Sequence, residues 1–138
     1  DTGDYKLHHD YIFGSRNDFL ALATDTRSDT TEDRIISIDR DSGDVTELID
    51  LADLFPEYFD SLEIDEDDFD WIHINSLCLT DEDTLIISSR ETSSIIKISG
   101  IYDSPSVDYL ISSGTEPDTK TCFWSRLETL RFRQVSTA

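Results

Sequence analysis

Short apolar stretches separated by turn residues run along most of the chain. YKLHHDYIF (5–13), DFLALAT (18–24), RIISID (34–39) and VTELI (45–49) predict four strands. RDSGD, between the third and fourth, reads as a Ser-Gly hairpin turn. WIHINSLCL (71–79), TLIISS (84–89), SIIKIS (94–99) and VDYLIS (107–112) predict four more strands. Between the two sets, LADLFPEYFDSLEI places apolar residues at 51, 54, 55 and 59. That spacing predicts helical turns, with Pro56 limiting their length. EIDEDDFD (63–70) reads as an acidic loop.

The two sets of strands repeat. Lys6–Asp25 lies over Trp71–Arg90 without a gap, which puts His8 on His73, Asp10 on Asn75, Leu20 on Leu85 and Asp25 on Arg90. RIISID then matches SIIKIS, and VTELI matches VDYLI. A repeat of four short antiparallel strands joined by hairpins predicts the blade of a β-propeller. The period exceeds the roughly 40–50 residues of common propeller repeats, and residues 51–70 account for the excess. The expected fold class is therefore all-β: two four-stranded antiparallel blades of a β-propeller, forming an incomplete ring because closure takes about 4–8 blades. A two-sheet sandwich of the same eight strands is the alternative. The expected organisation is a first blade over 1–50, a helical and acidic insertion over 51–70, a second blade over 71–113, and a divergent or truncated tail over 114–138.

Charge narrows the possible partners. The 138 residues carry a net charge of −20. Nucleic acid is excluded as an expected partner, because phosphate binding needs clustered Lys and Arg. The charge is uneven: residues 1–119 hold 7 basic and 30 acidic side chains, and residues 120–138 hold 4 and 1. No run approaches the ~18 apolar residues of a membrane span, and no signal peptide is visible at the start. Cys78 and Cys122 lack a metal-site spacing and stand as either a disulfide or two thiols.

Three histidines in an acidic chain mark the candidate chemistry. In a propeller, equivalent positions of neighbouring blades converge on a central channel, so the repeat register directs His8 and His73 at one space. Asp10 and Asn75 follow two residues later on the same strand faces, and Arg90 closes the second strand of its blade. Two imidazoles and a guanidinium make an anion site: arginine offers a fixed fork of donors, and histidine donates to developing negative charge or moves protons. Plainer roles stand beside this. A strand histidine also serves as a hydrogen-bonded structural residue, and Arg90 has Glu91 or the acidic loop as partners. His8, Asp10, His73 and Asn75 are ligand-type residues, but no close pair among them has a zinc spacing. Asp65, Glu66, Asp67, Asp68 and Asp70 lack the glycine and spacing of a calcium loop. A calcium-dependent adhesion module built on residues 63–70 is accordingly the weakest of the functional readings.

DWIHINS followed by LIISSRETSSIIKIS resembles the bacterial aryl-sulfate sulfotransferases that work without PAPS. The matching residues are Trp71, His73, Asn75, Ser88, Ser89, Arg90, Ile95, Ile96, Lys97 and Ile98. LHHDYIF, with His8, His9 and Asp10, is similar to the family's His-His-Asp segment on an earlier blade. The resemblance covers about residues 5–113. It implies a six-bladed propeller whose channel moves a sulfuryl group from a phenolic sulfate ester to a phenolic acceptor, ping-pong, through a sulfohistidine. It implies that His73 and Arg90 bind the sulfuryl oxygens and that His8 or His9 is the other channel histidine; the repeat favours His8. Asn75, Asp10 and Trp71 are the implied substrate-binding residues. No cofactor is implied, the remaining propeller blades are the implied partner, and the implied location is the periplasm or cell surface. One departure stands out: the family's nucleophilic histidine lies C-terminal to the Ser-Ser-Arg strand, and no histidine follows His73 here. The expectation is a sulfotransferase piece that is inactive alone. The alternative is a non-catalytic propeller segment that binds an anionic aromatic ligand or a protein.

Overall fold

A computed structural model describes residues 2–64 and 69–112. The residues form two four-stranded antiparallel sheets. The first contains β1 (Tyr5–Phe13), β2 (Asp18–Asp25), β3 (Arg34–Asp39) and β4 (Val45–Asp50). After α1 (Leu51–Leu54) and α2 (Pro56–Phe59), the second contains β5 (Ile74–Asp81), β6 (Thr84–Ser89), β7 (Ser94–Ser99) and β8 (Ser106–Ser112). Strand order within each sheet follows the chain. The all-β expectation holds, and one complete meander followed by another is consistent with consecutive propeller blades. The tail from residue 114, including Cys122, and most of the acidic run lie outside the described residues; Cys78 is exposed.

Local chemistry sets the boundaries. Asp39 caps its turn by accepting from the amides of Asp41 and Ser42, and Gly43 takes the positive φ of +77° that the hairpin needs. Asp50 caps α1 by accepting from the Ala52 amide at 2.9 Å. Phe55, which precedes Pro56, leaves helical geometry at φ −128° and splits the helical stretch in two.

Leu20, Leu22 and Ile35 from the first sheet share one core with Ile74, Leu85, Ile87, Ile96 and Ile98 from the second. Leu51, Phe55, Trp71 and Ile72 belong to the same core. Ala21, Ala23 and Ile36 form a smaller cluster of their own. Two polar clasps tie the sheets together. Asp10 Oδ2 accepts from the Leu77 amide at 2.8 Å. Around the β1–β2 hairpin, Ser15 donates to the Glu82 carbonyl, and Tyr102 donates to Asp18 at 3.1 Å. An added Cβ at Gly14 would lie 2.1 Å from Asp18 Oδ1 and 2.6 Å from the Tyr102 hydroxyl, so this position needs glycine for close approach.

Strand pairing corrects the gapless repeat. Leu20 faces Ile12, and Leu85 faces Leu79, so Ile12 corresponds to Leu79 rather than to Leu77. The β1–β2 loop, Gly14–Asn17, has four residues where β5–β6 turns through Glu82 and Asp83 alone, and this difference shifts the inner strands by two. A bulge then inserts residues 8–10 between the paired positions Leu7 and Tyr11, whereas in β5 only Asn75 intervenes between Ile74 and Ser76. His8 therefore sits in a bulge, and His73 precedes β5. The two are not equivalent positions. The predicted strand at 71–79 begins instead at Ile74, because Trp71 and Ile72 are drawn into the core and His73 adopts φ +47°.

Candidate functional site

The three histidines nevertheless meet, by way of the bulge rather than the repeat. The His9 ring lies 4.9 Å from the His73 ring, centroid to centroid, and 5.1 Å from the His8 ring. The backbone folds tightly here. His9 (φ +50°), Glu32 (φ +56°) and His73 (φ +47°) all occupy the left-handed region, which is uncommon for side-chain-bearing residues. Pairing with neighbours holds them in place. The Glu32 amide donates to Thr24 Oγ1 at 2.9 Å, and its carbonyl accepts from the Ile74 amide at 3.1 Å. The His73 carbonyl accepts from the Arg90 amide at 3.0 Å.

Carboxylates surround the basic groups. His73 Nδ1 lies 2.5 Å from Asp70 Oδ2 and 2.8 Å from Glu32 Oε2. His9 Nε2 lies 3.0 Å from the same Glu32 oxygen. An ionised carboxylate only accepts, so both ring nitrogens carry their protons toward the acids. Arg90 Nη2 reaches Asp70 Oδ2 at 3.2 Å, and its Nε donates to Glu91 at 2.9 Å. The His73 side chain is 9% exposed and the Arg90 side chain 58%, so a buried imidazole stands beside a surface cation. His8 is half-buried and both of its ring nitrogens are shut off from water. Among the described residues, no partner meets them at hydrogen-bond geometry, although the Ala23 backbone lies near enough to favour the protonated ring. Burial dominates and pushes the His8 ring below the usual histidine value of 6.5.

Beneath the cluster lies a second polar network. Asp33 is fully buried and accepts from Thr30 Oγ1 at 2.6 Å and from Trp71 Nε1 at 2.8 Å. Arg34 Nη1 lies 2.7 Å from Asp33 and 2.9 Å from Asp50. Burial pushes the Asp50 carboxyl up, and the Ala52 amide and then Arg34 only partly offset it. This network fixes the loop that carries Glu32.

The candidates from the sequence divide into two groups. His9, His73 and Arg90 converge, with His8 against His9. The other three lie elsewhere: Trp71 is packed in the core against Tyr58 and Phe59 at 3% exposure, and Asp10 is the clasp on Leu77. Asn75 is exposed and accepts from Ser88. Two site residues were missed. Asp70, counted with the acidic run, is turned onto His73, and its place three residues before that histidine was the available signal. Glu32 sits in a loop with no motif to mark it.

Two sheets that share a core and gather a histidine–arginine–carboxylate cluster at their junction define an all-β protein with a polar site between blade-like units. The particular family follows from comparison: the chain belongs to the arylsulfotransferase (ASST) family, whose model matches residues 1–126. The match continues past residue 113, where the resemblance read from motifs stopped. No curated protein and no solved structure matches the chain at a significant level. Among the described residues, no helix is long and apolar enough to cross a membrane.

Proposed function

We propose that this chain is part of a β-propeller sulfotransferase that moves a sulfuryl group from a phenolic sulfate ester to a phenolic acceptor without PAPS. Family membership supports the arylsulfotransferase class. The observation that carries the finer reading is the convergence of His9, His73 and Arg90 on one spot. In the first half-reaction, a histidine nitrogen attacks sulfur, the S–O bond to the donor breaks, and the phenolate leaves. In the second, the acceptor oxygen attacks, the N–S bond breaks, and the phenol proton passes to solvent. The nucleophilic histidine comes from outside these residues, since none follows His73. His73 and Arg90 bind the sulfuryl oxygens, and His9 stands nearer to them than His8. Asp70 orients both partners, which is the positioning that oxyanion stabilisation requires. The parent protein works in the periplasm or at the cell surface, and further blades complete its ring.

The test uses p-nitrophenyl sulfate and phenol. The full-length protein is expected to transfer the sulfuryl group, and the 138-residue chain alone is expected to be inactive. In the full-length protein, His73→Ala or Arg90→Ala should lower kcat by about 100-fold or more, the usual cost of a lost oxyanion donor. Near-native rates in both variants would remove these residues from catalysis.

A further inference from the structure

The cluster has a charge imbalance that sulfuryl binding does not explain. Glu32, Asp70 and Glu91 surround one guanidinium, that of Arg90, and two ring nitrogens. The carboxylates outnumber the fixed cation three to one, at a place proposed to receive an anion. The donor atoms also fall into two overlapping triads. Glu32, Asp70 and His73 each offer one atom within 4.8 Å of the others, and so do His8, His9 and Glu32. Glu32 Oε2 belongs to both and lies 2.8 Å from His73 Nδ1 and 3.0 Å from His9 Nε2.

We infer that Glu32, Asp70 and His73 form a divalent-metal site of the zinc type, with His9 as the next donor. One imidazole and two carboxylates are ligands that zinc accepts, and three protein ligands leave a position open, as catalytic zinc sites do. The ligand mixture favours a first-row transition ion over calcium, which takes oxygen donors throughout. The separations of His73 Nδ1 from the two carboxylate oxygens, 2.5 and 2.8 Å, are those of hydrogen bonds. Around a tetrahedral ion held at about 2.0–2.2 Å they open to about 3.3–3.6 Å, a small movement for side chains. Asp70 supplies a second observation. Its Oδ2 meets His73 and Arg90, but its Oδ1 is shut off from water with no hydrogen-bond partner among the described residues, and such an atom calls for a water or an ion. A bound dication would cancel the two carboxylates and release Arg90 from Asp70. The site stands on its own donor set, whether or not the sulfuryl reading holds.

Zinc chloride is titrated into the 138-residue chain at physiological salt, with calorimetry and imidazole nitrogen NMR as readouts. Three histidines in the chain make the ring signals assignable. The expected result is one saturable zinc per chain, a shift of the His73 Nδ1 resonance, and no competition from equimolar calcium. Glu32→Gln and Asp70→Asn should each weaken binding at least about tenfold, since even outer partners of metal ligands are worth 10–100-fold. Asp44→Asn, on an exposed hairpin, should change nothing. Zinc that leaves the His73 ring signals unmoved overturns the assignment on the wild-type chain alone. So does affinity that is equal in all three variants, which would mark diffuse binding to an acidic surface.

Discussion

Replacing Asp10 separates a structural role from a substrate-binding one. Its Oδ2 accepts from the Leu77 amide at 2.8 Å, across the junction between β1 and β5, and Leu77 itself is buried. A hydrogen bond to a charged group contributes about 1.5–3 kcal/mol net, and stranding a buried amide costs a similar amount. Asp10 is partly exposed, which favours the lower half of that range. Asp10→Ala should therefore destabilise the chain by about 2 kcal/mol. For a chain of this size that lowers Tm by roughly 6–10 °C. Asp10→Asn keeps an acceptor oxygen but loses the charge, so about half the effect should remain. Urea denaturation of the three proteins, with a shared m value, measures the differences. If Asp10→Ala unfolds within 0.5 kcal/mol of the parent, the clasp contributes nothing and the reasoning fails.

Other consequences can be checked in the same way. Phe55→Ala should cost about 3–5 kcal/mol, because it empties a fully enclosed site between the sheets; a loss below 1 kcal/mol would mean that the core collapses around it. Burial lowers the His8 value, so below pH 6.5 the unfolded chain takes up a proton that the folded ring refuses. The stability that the neutral His8 contributes is complete above pH 6.5 and is lost as pH falls through its lower folded value. Denaturation between pH 7.5 and 5 should show a shallower slope in His8→Gln than in the parent. Ser93 is exposed at φ +49° in the β6–β7 turn, and Ser93→Gly should raise stability by about 0.5–1 kcal/mol in thermal melts.

Strands were legible as short apolar runs bounded by turn residues. YKLHHDYIF, RIISID, TLIISS and SIIKIS match the observed bounds of β1, β3, β6 and β7, whether they alternate, as β7 does, or not, as β3. Pro56 announced the break between the two helical turns. The register of the inner strands was not legible, because it depends on loop length and on a bulge, and neither changes the hydrophobic pattern enough to be read. The candidate site was legible in its histidines, which are rare in this chain, and in Arg90, which closes a strand of the same motif. Its carboxylates were hidden by abundance: among 31 acidic residues nothing singled out Glu32, and Asp70 had only its place three residues before His73 to mark it. Trp71 pointed both ways, since its indole satisfies the buried Asp33 and fills the core from within the motif that carries the family resemblance.

Three residues held in left-handed backbone meet at one spot, His9, Glu32 and His73. Each such conformation costs of order 1 kcal/mol or more, and glycine would relieve it while deleting the side chain. Selection of this chain for heat resistance alone would thus enrich glycine at these positions and erode the cluster. A library screened for both thermal survival and ligand retention should show the two traits trading off there, and nowhere else in the inner strands as sharply.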